Sequence, residues 1–317
     1  MYKGTLLDVV PDIKELAKSF FKFVFMKKFW FGSIVLAIVI VIGSSCQKEV
    51  DDSLFNPQGN DSVYLDRAYT LDSISPAQVD TFSKVFFYYD NNKRLLKSVE
   101  YTVGQVDTFR VDYFYNGNDT LPYKNVQHNL SDIGTGLGYS RDTVFLQYSI
   151  SGQVAKDSAL EWDVTGNQNF GIVVQEFTNS GNKVVAATRN YFFSGGQYVL
   201  QSSYVKAYTQ VLQGTNIINQ VDTSRFSNMA LIQVSFDSKH NPFFRTIKMH
   251  YPIINGFDDD DEICQNNPVD FIQTTFSAFT NHFTYRYTYR EDNYPLIKWQ
   301  TDQTGYTTKS LYFYKTL

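Results

Sequence analysis

Phe283-Thr284-Tyr285-Arg286-Tyr287-Thr288-Tyr289-Arg290 sets an aromatic ring at every second residue, with a threonine or arginine between. Successive side chains of an extended chain point to opposite faces, so four rings line one face and four polar groups the other. A helix would scatter the same rings around its circumference. The stretch therefore reads as a strand with one packed face and one face in water. Phe109, Val111, Tyr113 and Tyr115 repeat the pattern opposite Arg110 and Asp112, although Phe114 breaks it. From Lys84 onward, runs rich in Tyr, Phe, Val and Thr are separated by Asn, Asp, Gly and Ser, and no helical period persists. The expected class is all-β.

The connections recur as well. Tyr89 to Leu95, Tyr115 to Pro122, Phe177 to Val184, Phe236 to Pro242 and Tyr289 to Pro295 each run from an aromatic through a polar turn to a Pro, Leu or Val that opens the next strand. Asn, Asp and Gly tolerate left-handed backbone, and Pro fits the first residue of a strand, so each copy is expected to be a hairpin. These hairpins resemble the Tyr-Asp-type repeats of uncharacterised Bacteroidota lipoproteins, which are domains of unknown function. The resemblance covers most of Lys84 to Leu317 and implies an architecture and an address but no activity. Lys93 and Lys239 stand where that pattern often has Gly.

A meander with one aromatic face has to hide it by closing on itself, by packing on a second sheet or by accepting a helix. No long helix is visible. The expectation is an antiparallel meander of repeated hairpins, sequential strands adjacent, forming a curved sheet, an open or closed barrel, or two packed sheets over residues 63–317. Residues 61–80 read as a first strand followed by a short helical turn near Ser73-Ile74-Ser75-Pro76.

The N-terminal region supplies the address. Met26-Lys27-Lys28 precedes an apolar run from Phe29 to Ile42 and then Gly43-Ser44-Ser45-Cys46. Basic residues, an apolar segment shorter than the roughly 20 residues of a spanning helix, and small residues at its end make a secretory signal over residues 1–45. Ile42-Gly43-Ser44-Ser45-Cys46 resembles the lipobox of bacterial lipoproteins, with Gly43 where Leu is more frequent. The resemblance implies an acylated Cys46 as mature N-terminus and partnership with the membrane through that lipid. Gln47-Lys48-Glu49-Val50-Asp51-Asp52 resembles the run that follows such cysteines in Bacteroidota lipoproteins and implies export to the outer membrane, at its cell-surface or periplasmic face. Residues 46–62 read as lipidated cysteine and flexible tether. Upstream, Leu6, Val9, Val10, Ile13, Leu16, Ala17, Phe20, Phe21 and Val24 recur at helical spacing. That prefix suits either a translation start at Met26 or a cytosolic basic helix on an uncleaved anchor.

Removing residues 1–45 takes six lysines and three acids and leaves 22 bases against 29 acids, a balance of −7. Nucleic acid, whose phosphates demand a positive surface, is therefore not an expected partner. With Cys46 carrying lipid, Cys264 has no partner for an internal disulfide.

Catalytic signatures are missing. His128, His240, His250 and His282 lack ligand spacing, and Gly134-Thr135-Gly136-Leu137-Gly138 opens no helix. Asp258-Asp259-Asp260-Asp261-Glu262 offers Asp258, Asp260 and Glu262 as weak metal candidates, but without the interleaved Gly or Asn of calcium loops it reads as a solvated acidic loop. No cofactor is implied. Trp162 and Trp299 are the candidate ligand-binding residues, because exposed indole rings stack on sugars; the Tyr285, Tyr287, Tyr289 row reads as core. Two functions are compatible with these features: a non-enzymatic lipid-anchored binding or structural module with a glycan or envelope protein as partner, or a polysaccharide hydrolase whose carboxylates meet only in the fold.

Overall fold

The computed structural model describes residues 63–75, 78–104, 108–132, 137–165, 168–224, 229–254, 264–275 and 280–317. The signal, Cys46, the tether and the Asp258–Glu262 run lie outside the described residues. Sixteen strands succeed one another: β1 (Val63–Ser75), β2 (Gln78–Tyr89), β3 (Leu95–Thr102), β4 (Thr108–Phe114), β5 (Lys124–Asp132), β6 (Leu137–Tyr148), β7 (Val154–Asp163) and β8 (Gln168–Ser180). Then come β9 (Lys183–Ser194), β10 (Gln197–Gln213), β11 (Asn216–Asp222), β12 (Met229–His240), β13 (Asn266–Thr275), β14 (Thr280–Tyr289), β15 (Pro295–Asp302) and β16 (Thr307–Thr316). Each strand pairs antiparallel with its sequence neighbours, and β16 returns to β1, with Ala68 opposite Tyr312 and Tyr69 opposite Leu311. The sheet closes into a barrel and has no free edge.

Alternation decides the faces. On β14, Tyr285 is buried and Phe283 and Tyr287 pack against the inner core, whereas Thr284, Arg286 and Thr288 are exposed. The same parity puts Val111 and Tyr113 inside and leaves Phe114 outside, under the Lys124 ammonium at 4.2 Å.

The even strands end, and the odd strands begin, at one rim. There two of the recurrent aromatics, Tyr89 and Tyr115, share a purpose with Tyr148 and Tyr314. Tyr89 donates its hydroxyl to the Leu65 carbonyl at 2.7 Å, Tyr115 to Leu95 at 2.9 Å, Tyr148 to Pro122 at 2.8 Å and Tyr314 to Pro295 at 2.7 Å. In each case a tyrosine at or just beyond the end of an even strand ties down the opening of the odd strand before it. Burial pushes all four phenols well above their ordinary range, so they remain donors.

The tight turns share one geometry. Asp90 N–H donates to Arg94 O and Lys93 N–H to Asp90 O; the pairs Ser149/Gln153, Arg290/Tyr294 and Asp302/Tyr306 repeat this. The fourth residue of each turn is left-handed, and Lys93 (φ 63°) and Asn293 (φ 66°) occupy it as Gly152 (φ 79°) and Gly305 (φ 86°) do. Lysine in the glycine position thus leaves the hairpin intact, helped by Asp90, whose carboxylate accepts from the Asn92 and Arg94 amides.

Two expectations are corrected. The Phe236 to Pro242 copy is not a tight hairpin: Lys239 continues β12, and residues 241–265 intervene before β13. Asn241 instead caps a short helix, α1 (Pro242–Thr246), by accepting from the Phe243 amide at 3.0 Å, with Pro242 preset for the first turn. Where a short helical turn is expected, Ser73 to Ser75 are strand, because the β1–β2 ladder runs on to Ser75 opposite Gln78; Pro76 lies outside the described residues.

Replacing Tyr148 by Phe removes one hydroxyl and leaves the Pro122 carbonyl unpaired. Chemical denaturation should show a loss of about 1–2 kcal/mol; an unchanged midpoint would mean that the rim tyrosines only pack.

Candidate functional site: plug, lumen and outer wall

A barrel of about eight strands is just filled by its own side chains, whereas one of about 16 leaves an interior too wide for them. Here the β12–β13 connection fills one end. Phe243, Ile247 and Met249 join Leu65, Phe87, Val111 and Tyr312. Met249, Tyr251 and Ile253 meet Val144, Val154, Phe177 and Tyr208, and Ile254 and Cys264 meet Ile217, Ile232 and Phe271. Residues 242–254 are therefore a plug touching the inner faces of strands all around the barrel, and Ile254, Cys264 and Phe271 are 0 % exposed. Among the described residues Cys264 takes part in no disulfide.

The plug's backbone is held by side chains from the wall. Gln210 on β10 and Gln220 on β11 stand opposite each other and face inward. Gln210 Nε2 donates to Gln220 Oε1 at 2.9 Å and to the Pro252 carbonyl at 2.7 Å. Gln220 Nε2 donates to the Ile254 carbonyl at 2.7 Å, and its Oε1 accepts from the Ile254 amide at 3.1 Å. Elsewhere the Val154 amide donates to the His250 carbonyl at 2.9 Å, Asn125 Nδ2 to Met249 Sδ at 3.1 Å, and Asn241 Nδ2 to the Cys264 carbonyl at 3.0 Å. His250 stacks on Phe244 with ring centroids 4.0 Å apart.

Toward the other rim the described inner face is less covered. Val199, Phe192 and Tyr204 lie on the inner face by register, yet are 52 %, 48 % and 46 % exposed. Asp142 on β6 and Glu161 on β7 are directly opposite and share that face with Val144 and Ala159. Burial raises the pKa of Asp142, and burial first and then the Asp142 charge raise that of Glu161. Asp157 on the same face is raised by burial, against the opposing effect of hydrogen bonds from Tyr251 and from the backbone at Gln175.

The outer wall carries ions. Arg110 and His128 both reach Asp112, at 2.7 and 3.3 Å; Lys156 and Arg189 both reach Glu176, at 2.8 and 3.1 Å; His282 meets Asp270 at 2.7 Å. Trp162 is on this wall opposite Arg141, and Trp299 lies on it beneath the Arg286 guanidinium, 4.5 Å from its ring centroid, with Lys309 Nζ at 5.8 Å. The two tryptophans are on separate parts of the wall, β7 and β15, and form no common site. Among the described residues no three His, Cys, Asp or Glu side chains come together as a metal site; Cys46, Asp258, Asp260 and Glu262 lie outside them.

The plug, the glutamine clamp and the Asp142/Glu161 pair escape a one-dimensional reading. The one sequence signal for the plug is the apolar content of residues 242–254, too long for a turn and lacking period-2 alternation. Gln210 and Gln220 betray themselves only as polar residues on the inward parity of their strands.

Gln220→Met should cost about 3 kcal/mol in urea unfolding, because Gln210 Nε2 and both polar groups of Ile254 lose a partner in a dry interior; a loss under about 1 kcal/mol would show that the clamp is dispensable. For the inner carboxylates the native state binds protons more tightly than the unfolded chain, so their contribution falls as pH rises from the ordinary carboxylate range through the raised values. Glu161→Gln should therefore melt above the wild type at about pH 7, the difference vanishing at about pH 3, below the unfolded value, where the wild-type group is protonated in both states. A variant melting below the wild type at neutral pH would contradict the sign.

No family model matches the sequence, and no curated protein shows significant similarity to it. Among solved structures, a porin-like protein from Bacteroides uniformis is similar at 10 % identity, covering 82 % of this chain and 100 % of that one, with a TM-score of 0.41. A porin-like protein from Bacteroides vulgatus is similar at 9 % identity, covering 81 % and 100 %, with a TM-score of 0.40. These values assign neither a family nor a function.

Proposed function

We propose that the chain is a non-catalytic envelope lipoprotein whose barrel stands in water, held to the outer membrane by lipid on Cys46 and serving as a binding or structural module. The outer wall carries this reading. Arg110, Arg141, Arg189 and Arg286 sit near the middles of outward-facing strand segments in different sectors of the barrel. At the centre of a bilayer each would cost roughly 2–4 kcal/mol, so the four together approach the entire stability of an ordinary domain. In water they cost little and help solubility. The plug supports the same reading, since an inward face packed against Ile247, Ile253 and Ile254 offers no passage at that end. The wall leaves membrane attachment to the lipid that the Cys46 motif implies.

The second reading, polysaccharide hydrolysis, draws on Asp142 and Glu161. They lie side by side on one wall, however, and would approach a sugar from the same side. Glycosidases place their two carboxyl groups on either side of the scissile bond. Binding is the better fit.

Phase separation in a detergent that clouds on warming tests the proposal. The chain produced without residues 1–46 should enter the aqueous phase, and metabolic labelling with a fatty-acid probe should tag the full chain but not Cys46→Ala. Recovery of the leaderless chain in the detergent phase would identify the wall as membrane-inserted, and equal labelling of both proteins would remove the anchor.

A further inference from the structure

One sector of the outer wall differs from the rest. From β14 through β16 and on to β3, the outward positions are Thr284, Arg286 and Thr288; Ile297, Trp299 and Thr301; Thr307, Lys309, Leu311 and Phe313; Arg67 and Tyr69; Lys84 and Phe86; and Val99 and Tyr101. Rings and cations alternate across the strands. Phe313 lies 5.1 Å from Tyr69, Tyr69 6.1 Å from Phe86, and Phe86 6.0 Å from Tyr101. Arg67 covers Phe313 at 4.7 Å, Lys84 covers Tyr69 at 5.5 Å, and Arg286 covers Trp299 at 4.5 Å.

Few acids face its cations. On other strands Arg110 is held by Asp112, and Lys156 and Arg189 by Glu176. Among the side chains described in this sector the only outward carboxylate is Asp66, which is taken by Lys315 at 3.1 Å and Arg67 at 3.8 Å. Arg286, Lys309 and Lys84 face rings and water instead of acids. In a chain of net negative charge, a cationic sector stabilised by aromatic faces is a complementary surface for an anion.

We propose that this sector binds an anionic polysaccharide, a uronate-type strand lying across β14 to β3. The inference rests on the water-facing wall proposed above and names the ligand class of that wall. Three features select a glycan. Cations spaced across several strands suit carboxylates repeated along a polymer, and the ring faces of Phe86 and Tyr101 suit the C–H groups of sugars. The outward threonines, with Thr301 Oγ1 and Thr307 Oγ1 2.8 Å apart, offer hydroxyls to a polyhydroxylated ligand. Stacked nucleobases need a run of free ring faces, and here Phe313, Tyr69 and Trp299 are already covered by cations.

Affinity electrophoresis of the full chain in non-ionic detergent, with polygalacturonate cast in the gel, tests this. Polygalacturonate should retard the protein and dextran should not, and the retardation should weaken with salt. The double variant Arg286→Gln/Lys309→Gln should lose at least about tenfold in affinity, the two contacts being charge-assisted. Lys84→Gln should lose less, and Lys183→Gln on the far wall should lose nothing. Retardation equal in dextran, unchanged in the double variant, or absent would overturn the proposal. So would binding to phosphatidylglycerol vesicles or single-stranded DNA without binding to polygalacturonate. Failure of the water-facing wall itself would appear separately, as detergent-phase partition of the leaderless chain.

Discussion

The width of a closed sheet of this many strands is the constraint that shapes everything inside it. Sixteen strands enclose more space than their inward side chains can fill, and an unfilled apolar interior would forfeit the burial that holds any domain together. The chain fills it with its own backbone: residues 242–254 leave the sheet, cap α1 with Asn241 and lie inside one end. Backbone inside a dry core brings polar groups that need partners, and Gln210 and Gln220 supply them from neighbouring strands. The amides are as necessary as the isoleucines around them.

The plugged rim is also where the chain is most tightly stitched. Tyr89, Tyr115, Tyr148 and Tyr314 each tie the end of one strand to the opening of its neighbour, and five-residue turns with a left-handed fourth residue close the hairpins between them. At the other rim, inward rings such as Phe192 and Tyr204 are half exposed, and the inner wall carries Asp142 and Glu161. One barrel thus has a solid end and an end whose described inner wall is acidic. Its outer wall has ion pairs at Asp112, Glu176 and Asp270, and from β14 to β3 arginines and lysines that lie on rings.

Much of this was legible in one dimension, and the limits have physical causes. Period-2 alternation at Phe283 to Arg290 fixed the strand and its faces, because side-chain direction in an extended chain is purely local. The recurring aromatic-turn-Pro/Leu units announced hairpins, and the rim bonds give Tyr89 and Tyr115 a reason to be Tyr. Closure was one of several outcomes left open, since pairing of β1 with β16 joins strands from opposite ends of the domain. Phe236 to Pro242 misled because its turn residues are those of a hairpin, while the course of the chain beyond Pro242 is decided by an interior that a local reading does not contain. Trp299 was visible as a candidate exposed ring, but its company of Arg286 and Lys309 is set by strand register.

The plug as an integral part of the core, and not a loop resting in a pore, is the claim on which the closed end depends. Native-state hydrogen exchange reads it directly at the Ile254 amide, held by Gln220, and the Val154 amide, which donates to His250. Both should exchange only through global unfolding, with the same free energy as the Gln210 amide within the wall. Rapid exchange of Ile254 and Val154 while Gln210 stays protected would show that the plug opens on its own, and would contradict the account.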